Sequence, residues 1–185
     1  MQLSNPVACI CEGAAENAIM DILLDNDLLV FKRTDMLDDK VIRTRSGEIF
    51  EKRYLRKSYR NRISIIRILD SRREEFRISR AYIPLVDVIN IITAPEIEML
   101  IIHSEQVYES FKKSRLKPSE YCVSKLHITN VKSYDFVRDY FDDTTKLLTS
   151  IFRYRQKANI PEGEHTLMDL LNEKALHIME QTKDF

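Results

Sequence analysis

The apolar positions of this chain fall into two kinds of run. In the first hundred residues, short unbroken apolar stretches alternate with stretches of helical period. Segments 6–11 (PVACIC), 28–31 (LLVF), 62–69 (RISIIRIL) and 87–93 (DVINIIT) have the length and β-branched content of strands buried on both faces. Between the first two, residues 14–24 carry Ala15, Ala18, Ile19, Ile22 and Leu23 at helical spacing, which predicts a helix whose first turn contains Glu16. A second helix is predicted from Ser46, a residue type favoured at the N-cap, to about Tyr59.

From Glu96 onward the pattern is helical, in segments 96–102, 105–113, 118–122, 133–141, 145–157 and 166–181, with Pro118 and Pro161 at turns or helix starts. The order of elements predicts an α/β protein: a parallel four-stranded sheet flanked by helices, with additional C-terminal helices that cover the sheet or form a small bundle. There is no internal repeat or linker, so a single domain is predicted over 1–185, with its core in 6–103 and a helical extension over 104–185.

Composition adds exclusions. A chain of 185 residues with 44% apolar and 31% charged residues can bury a core without a disulfide or metal staple. Cys9, Cys11 and Cys122 lack zinc-ligand spacing and read as buried thiols. The histidines His103, His127, His165 and His177 have no ligand spacing either. With only Gly13, Gly47 and Gly163, there is no Walker loop, nucleophile elbow or dinucleotide fingerprint. No segment approaches the roughly 20 apolar residues of a membrane span, so a soluble, cytoplasmic protein is expected.

The net charge is zero, but its distribution is uneven. From Glu12 to Asp39 the charges are acidic apart from Lys32 and Arg33, whereas from Lys52 to Arg80 they are basic apart from Asp70, Glu74 and Glu75. The basic helix face Lys52, Arg53, Arg56, Lys57 and Arg60 suits the backbone of a nucleic acid, or is simply solvated.

The acids stand at strand ends. Glu12 follows the first strand, Asp70 follows 62–69, and Glu96 and Glu98 follow 87–93. Ligands of open parallel sheets bind outside the carboxyl ends of the strands, so these side chains can converge there. Convergent carboxylates suit a hard cation such as Mg²⁺ together with a phosphate. The alternative reading is that Glu12 and Asp70 serve the following helices as first-turn acids.

ICEGAAE (10–16) and RILDSRRE (67–74) resemble the Toprim family, the catalytic domain of topoisomerases, bacterial primases and overcoming-lysogenization-defect nucleases. In that pattern a glutamate closes the first strand and an aspartate-rich motif closes a later one. TAPEIEMLIIH (93–103), with Pro95 and Glu98, is similar to the RloB-like branch. The resemblance covers residues 6–103. It implies a Mg²⁺- or Mn²⁺-dependent nuclease, in a setting such as bacterial anti-phage defence. Glu12 would be the acid/base or metal-linked group, Asp70 a metal ligand, and Glu16 and Glu98 further metal candidates.

One departure is explicit: the family's Asp-x-Asp is Asp70-Ser71-Arg72 here. Glu98 or Glu74 would supply the missing oxygen, or the domain binds nucleic acid or a protein partner without catalysis. Arg72 and Arg73 could clamp a phosphate, with Arg72 assisting catalysis, or pair with Glu74, Glu75 or Asp70. Nucleic acid is the expected partner, through Arg53, Arg56, Lys57, Arg60 and Arg73. A protein partner such as an ATPase and a homo-oligomer are further expectations, and a membrane is not.

Overall fold

A computed structural model describes Met1 and residues 3–181. Strands β1 (Val7–Cys11), β2 (Ile63–Leu69) and β3 (Val86–Ile92) form a parallel sheet in that order. β1 and β2 are buried along their whole lengths, which is why their sequences are apolar without alternation. β3 alternates, and Val88 on this outer strand is 41% exposed.

Alternation of side chains divides the core between two faces. Val7, Cys9, Cys11, Ile66, Ile68 and Ile91 face the larger cluster, which includes helix α1 (Ala14–Asp25). Ala8, Ile10, Ile63, Ile65 and Val86 face a smaller cluster built on Phe50, Tyr54 and Leu55.

The remaining helices are α2 (Gly47–Phe50), α3 (Met99–Ser104), α4 (Tyr108–Ser114), α5 (Pro118–Lys125), α6 (Tyr134–Tyr140), α7 (Thr144–Lys157) and α8 (Glu173–Gln181). α3 packs on α7 and α6 on α1, and their buried residues join the same cluster as the strands. The C-terminal helices therefore cover the sheet and do not form a separate bundle. Cys9, Cys11 and Cys122 are free and buried, as their spacing suggested. Among the described residues no helix is long and apolar enough to cross a membrane.

Three expectations need correction. The sheet has three strands, not four, because residues 28–31 do not join it. Their backbone hydrogen bonds go elsewhere: Val30 N donates to Leu170 O (2.9 Å), Asn172 N donates to Leu28 O (3.0 Å), and Leu29 bridges Leu171. The free edge of β1 is instead met at two points, by Met36 and Ile42 in parallel bridges. Between them lies an acidic turn with Asp39 at φ 45°, which no ladder can accommodate.

The helix expected over 166–181 is broken for the same reason. A 3₁₀ turn (Leu167–Leu170) precedes α8, and between them Asn172 Nδ2 donates to Asp27 O and Leu29 O, both at 2.9 Å. The helix expected over 46–59 begins as predicted, with Ser46 Oγ accepting from Ile49 N, but α2 passes into one π turn (Glu51–Leu55). The wider turn lets both Tyr54 and Leu55 bury beside Phe50.

Candidate functional site

Because β1 and β2 are parallel neighbours, with Cys11 opposite Ile68, the residues that follow them share one rim. Glu12 and Asp70 are those residues. α1 starts two residues after Glu12 and returns Glu16 to the rim, while Glu98 arrives just before α3. Glu12, Glu16, Asp70 and Glu98 line one cavity of about 170 Å³, together with Gly13, Ile68, Arg45 and Lys132. Gly13 leaves room for this closeness: a Cβ there would come within 2.0 Å of Glu16 Oε2 and displace that carboxylate.

The rim has two halves. On the side of the smaller cluster, Glu12 continues the line of Ala8 and Ile10, and Arg67, opposite Ile10, continues that of Ile63 and Ile65. Arg67 is 1% exposed. Its Nη2 is 3.9 Å from Glu12 Oε1 and 3.8 Å from Glu74 Oε2, and its guanidinium lies 4.8 Å from the centre of the Phe76 ring. Arg45 Nε meets Glu12 Oε2 from the outside at 2.8 Å. Glu12 Oε1 and Arg67 Nε are nevertheless buried without a hydrogen-bond partner. Burial, reinforced by Glu74, pushes Glu12 up to about 7 against the pull of Arg45 and Arg67. Burial also lowers Arg67, with Glu12 and Glu74 resisting.

The other half gathers Glu16, Asp70, Glu96 and Glu98 around one ammonium. Lys132 Nζ is 3.2 Å from Glu96 Oε1. Partial burial works against that ammonium, but Glu98, Glu96 and Asp70 hold it above its ordinary value. Glu98 is 3% exposed. Burial pushes it up to about 7, with Glu96 and Glu16 adding to the rise and Lys132 opposing it. Glu16 is likewise raised, by burial first and by Asp70 next among the charges. Glu96 moves the other way. Burial opposes its ionisation, but hydrogen bonds from Ser119 and Lys132 prevail.

The predicted acids Glu12, Glu16, Asp70 and Glu98 thus come together, and the predicted cations do not. Arg72 is turned away from the cavity: its Nε lies 2.9 Å from both Glu164 carboxylate oxygens and its Nη2 donates to Asn159 O. The ion pair expected with Glu74, Glu75 or Asp70 is formed instead with Glu164, in a loop far along the chain. Arg73 is exposed beside Asp70, Ser71 and Lys117 on a neighbouring groove. Arg53 is engaged by Asp38 at 3.2 Å and lies over the Tyr54 ring, whereas Arg56, Lys57 and Arg60 are exposed.

Three residues that sequence reasoning missed, Arg45, Arg67 and Lys132, are the cations of the site. Only Arg67 left a signal, as a lone charge inside an otherwise apolar strand. Among the described residues no three His, Cys, Asp or Glu side chains stand as a group able to hold a metal ion. No family model matches the chain, and searches of curated proteins and of solved structures return no significant match.

Proposed function

We propose that the rim cavity is a divalent-cation site for phosphodiester chemistry, and that the chain is a Mg²⁺- or Mn²⁺-dependent nuclease with a Toprim-like fold. The reading is carried by the convergence of Glu12, Glu16, Asp70 and Glu98 on one cavity at the carboxyl ends of parallel strands, where open α/β sheets bind their ligands. The donors are carboxylate oxygens, the chemistry that Mg²⁺ and Mn²⁺ prefer. Lys132 is held charged among acids, so the local field already favours a cation.

As they stand these carboxylates are not gathered into a metal-binding group, so an ion would have to draw Asp70, Glu16 and Glu98 together; held there, it would polarise a phosphoryl oxygen and acidify a bound water. The protein's own groups supply the rest. Glu12, raised to about 7, is poised to accept or donate a proton near neutrality. Arg67 fixes its carboxylate from beneath. Arg45, 76% exposed, can release one oxygen of Glu12 and pair with a phosphate instead.

The test is incubation of the protein with labelled DNA and RNA in Mg²⁺ or Mn²⁺. Cleavage is expected to fall by about 10²–10⁴-fold in Glu12→Gln and to be lost in Asp70→Asn. Absence of cleavage in the unaltered protein, or its survival in both variants, overturns the reading.

A second reading, a non-catalytic module that binds nucleic acid or a protein, is favoured by Arg72, which stands where the family pattern has an aspartate and is tied to Glu164. Calorimetry separates the two. Mn²⁺ heat that disappears in Asp70→Asn supports the enzyme, and salt-sensitive nucleic-acid binding without metal heat supports the module.

A further inference from the structure

A cleft of about 490 Å³ lies between α3, α4 and the end of α7, within the roughly 300–1,000 Å³ of small-molecule sites. Its walls are opposite in sign to the acid rim. Arg72, Lys112 and Lys157 line it and, among the described residues, no carboxylate does. Arg72 is partly neutralised by Glu164, so the two exposed lysines supply most of the field.

Helical spacing builds the other wall. Tyr108, Phe111 and Lys112 share one face of α4, and Tyr154 and Lys157 share one face of α7. His103 of α3 stacks on Tyr108 at 5.0 Å between ring centres and meets Tyr154 edge-on at 6.0 Å. The Tyr154 hydroxyl donates to Ala94 O at 2.8 Å, which fixes that ring. His103 is 3% exposed, yet its Nε2 has no hydrogen-bond partner. Burial, with Arg153 and Lys157 nearby, pushes its pKa down to about 4. The imidazole is therefore neutral at physiological pH and backs the Tyr108 ring without adding charge.

We propose that this cleft binds a nucleoside phosphate with an unpaired base: Tyr108, backed by His103, and Phe111 pack on the base, and Lys112, Lys157 and Arg72 hold the phosphate. An aromatic surface framed by cations matches a ligand that is flat and π-faced at one end and anionic at the other. A base within a duplex stack cannot enter a concave pocket of this kind. Arg72, Ala94 and Pro95 also line the groove that contains Asp70, Arg73 and Lys117. A single strand with one base in the cleft would thus carry its adjoining phosphates over Arg73 and Lys117 toward the acid rim. As a statement about substrate, the proposal rests on the phosphodiester reading above. As a statement about binding, it is independent of metal and of cleavage.

The test is fluorescence anisotropy in EDTA with a 5′-labelled single-stranded oligonucleotide, competed separately by adenosine monophosphate, inorganic phosphate and duplex DNA. Binding is expected to weaken about tenfold or more in the Lys112→Ala/Lys157→Ala double variant at low salt, and about fivefold or more in Tyr108→Leu. Both lysines are exposed, so their removal spares the fold, and thermal melts followed by circular dichroism check this. Competition by the mononucleotide at least as effective as that by unlabelled strand assigns the cleft to free nucleotides. Competition by strand alone assigns it to nucleic acid.

No binding, equal competition by inorganic phosphate or duplex, or indifference to both the lysine and the tyrosine variants overturns the proposal. Loss of the proposal with metal-dependent cleavage intact leaves the rim reading standing. Binding without cleavage does the reverse.

Discussion

Glu12 and Glu98 occupy the two halves of one rim and are both pushed up to about 7 by burial, yet their surroundings differ. Glu12 has two guanidiniums, one buried beneath it and one exposed above it. Glu98 has a single ammonium, which makes its hydrogen bond to Glu96. The first half is an internally compensated network that fixes one carboxylate. The second is an excess of negative charge with one exposed lysine as its counter-ion, and that is the half an external cation can enter.

The largest effect that can test this contrast is expected at Arg67. Arg67→Met leaves Glu12 and Glu74 without their buried partner and should cost about 3 kcal/mol in urea unfolding, the scale on which breaking a buried pair acts. Adding Glu12→Gln should recover part of the loss. A cost as small as that of a surface pair would mean that the first half is not a network.

The second effect is a pH dependence. A carboxyl group whose folded pKa is raised binds more protons in the folded state, so it lowers stability as pH rises from roughly 4.5 to about 7, and the penalty is complete above that. His103, depressed to about 4, acts in the opposite sense and reduces stability as pH falls below its ordinary value. The difference between the unaltered protein and Glu98→Gln isolates the acid. The variant should be more stable at pH 8 by on the order of 2 kcal/mol and equal at pH 4.5. Mn²⁺ should raise the melting temperature of the unaltered protein more at pH 8 than at pH 5.5, because protons compete for the same oxygens. An equal rise at both pH values counts against an ion at Glu98.

Gly13→Ala is expected to act through Glu16, whose carboxylate must swing away from the new Cβ. The flexible side chain can yield, so stability should change by about 1 kcal/mol or less, while the Mn²⁺ heat falls in calorimetry. The smallest effect should be that of Arg45→Ala, which removes the exposed cation from the same carboxylate that Arg67 holds. About 0.5 kcal/mol or less is expected in urea unfolding. A cost equal to that of Arg67→Met would erase the distinction between buried and exposed partners.

The sequence reveals the parts of this arrangement that follow from local pattern. The three strands are apolar runs, and parallel pairing then puts Glu12 and Asp70 on one rim. Glu16 and Glu98 follow because helices begin immediately beside that rim. What periodicity could not supply were partners distant in sequence. Residues 28–31 have the composition of a strand, but 170–172 take their hydrogen bonds. Arg72 was assigned a phosphate or a nearby acid, and not its actual partner, because Glu164 lies in a loop without pattern. Lys132, between α5 and α6, gives no sign in the sequence that it faces four acids. Arg67 alone left a mark, as the single charge inside an apolar run.

The clasp between residues 28–31 and 170–172 makes the order of synthesis matter. A nascent chain halted before Leu170 leaves the Val30 amide and the Leu28 carbonyl without partners and uncovers Leu28 and Leu29, which the finished molecule buries. The turn that follows the first helix therefore reaches its final form only after residues 170–172 have left the ribosome, and products that stop short of them would expose greasy surface that chaperones and proteases recognise.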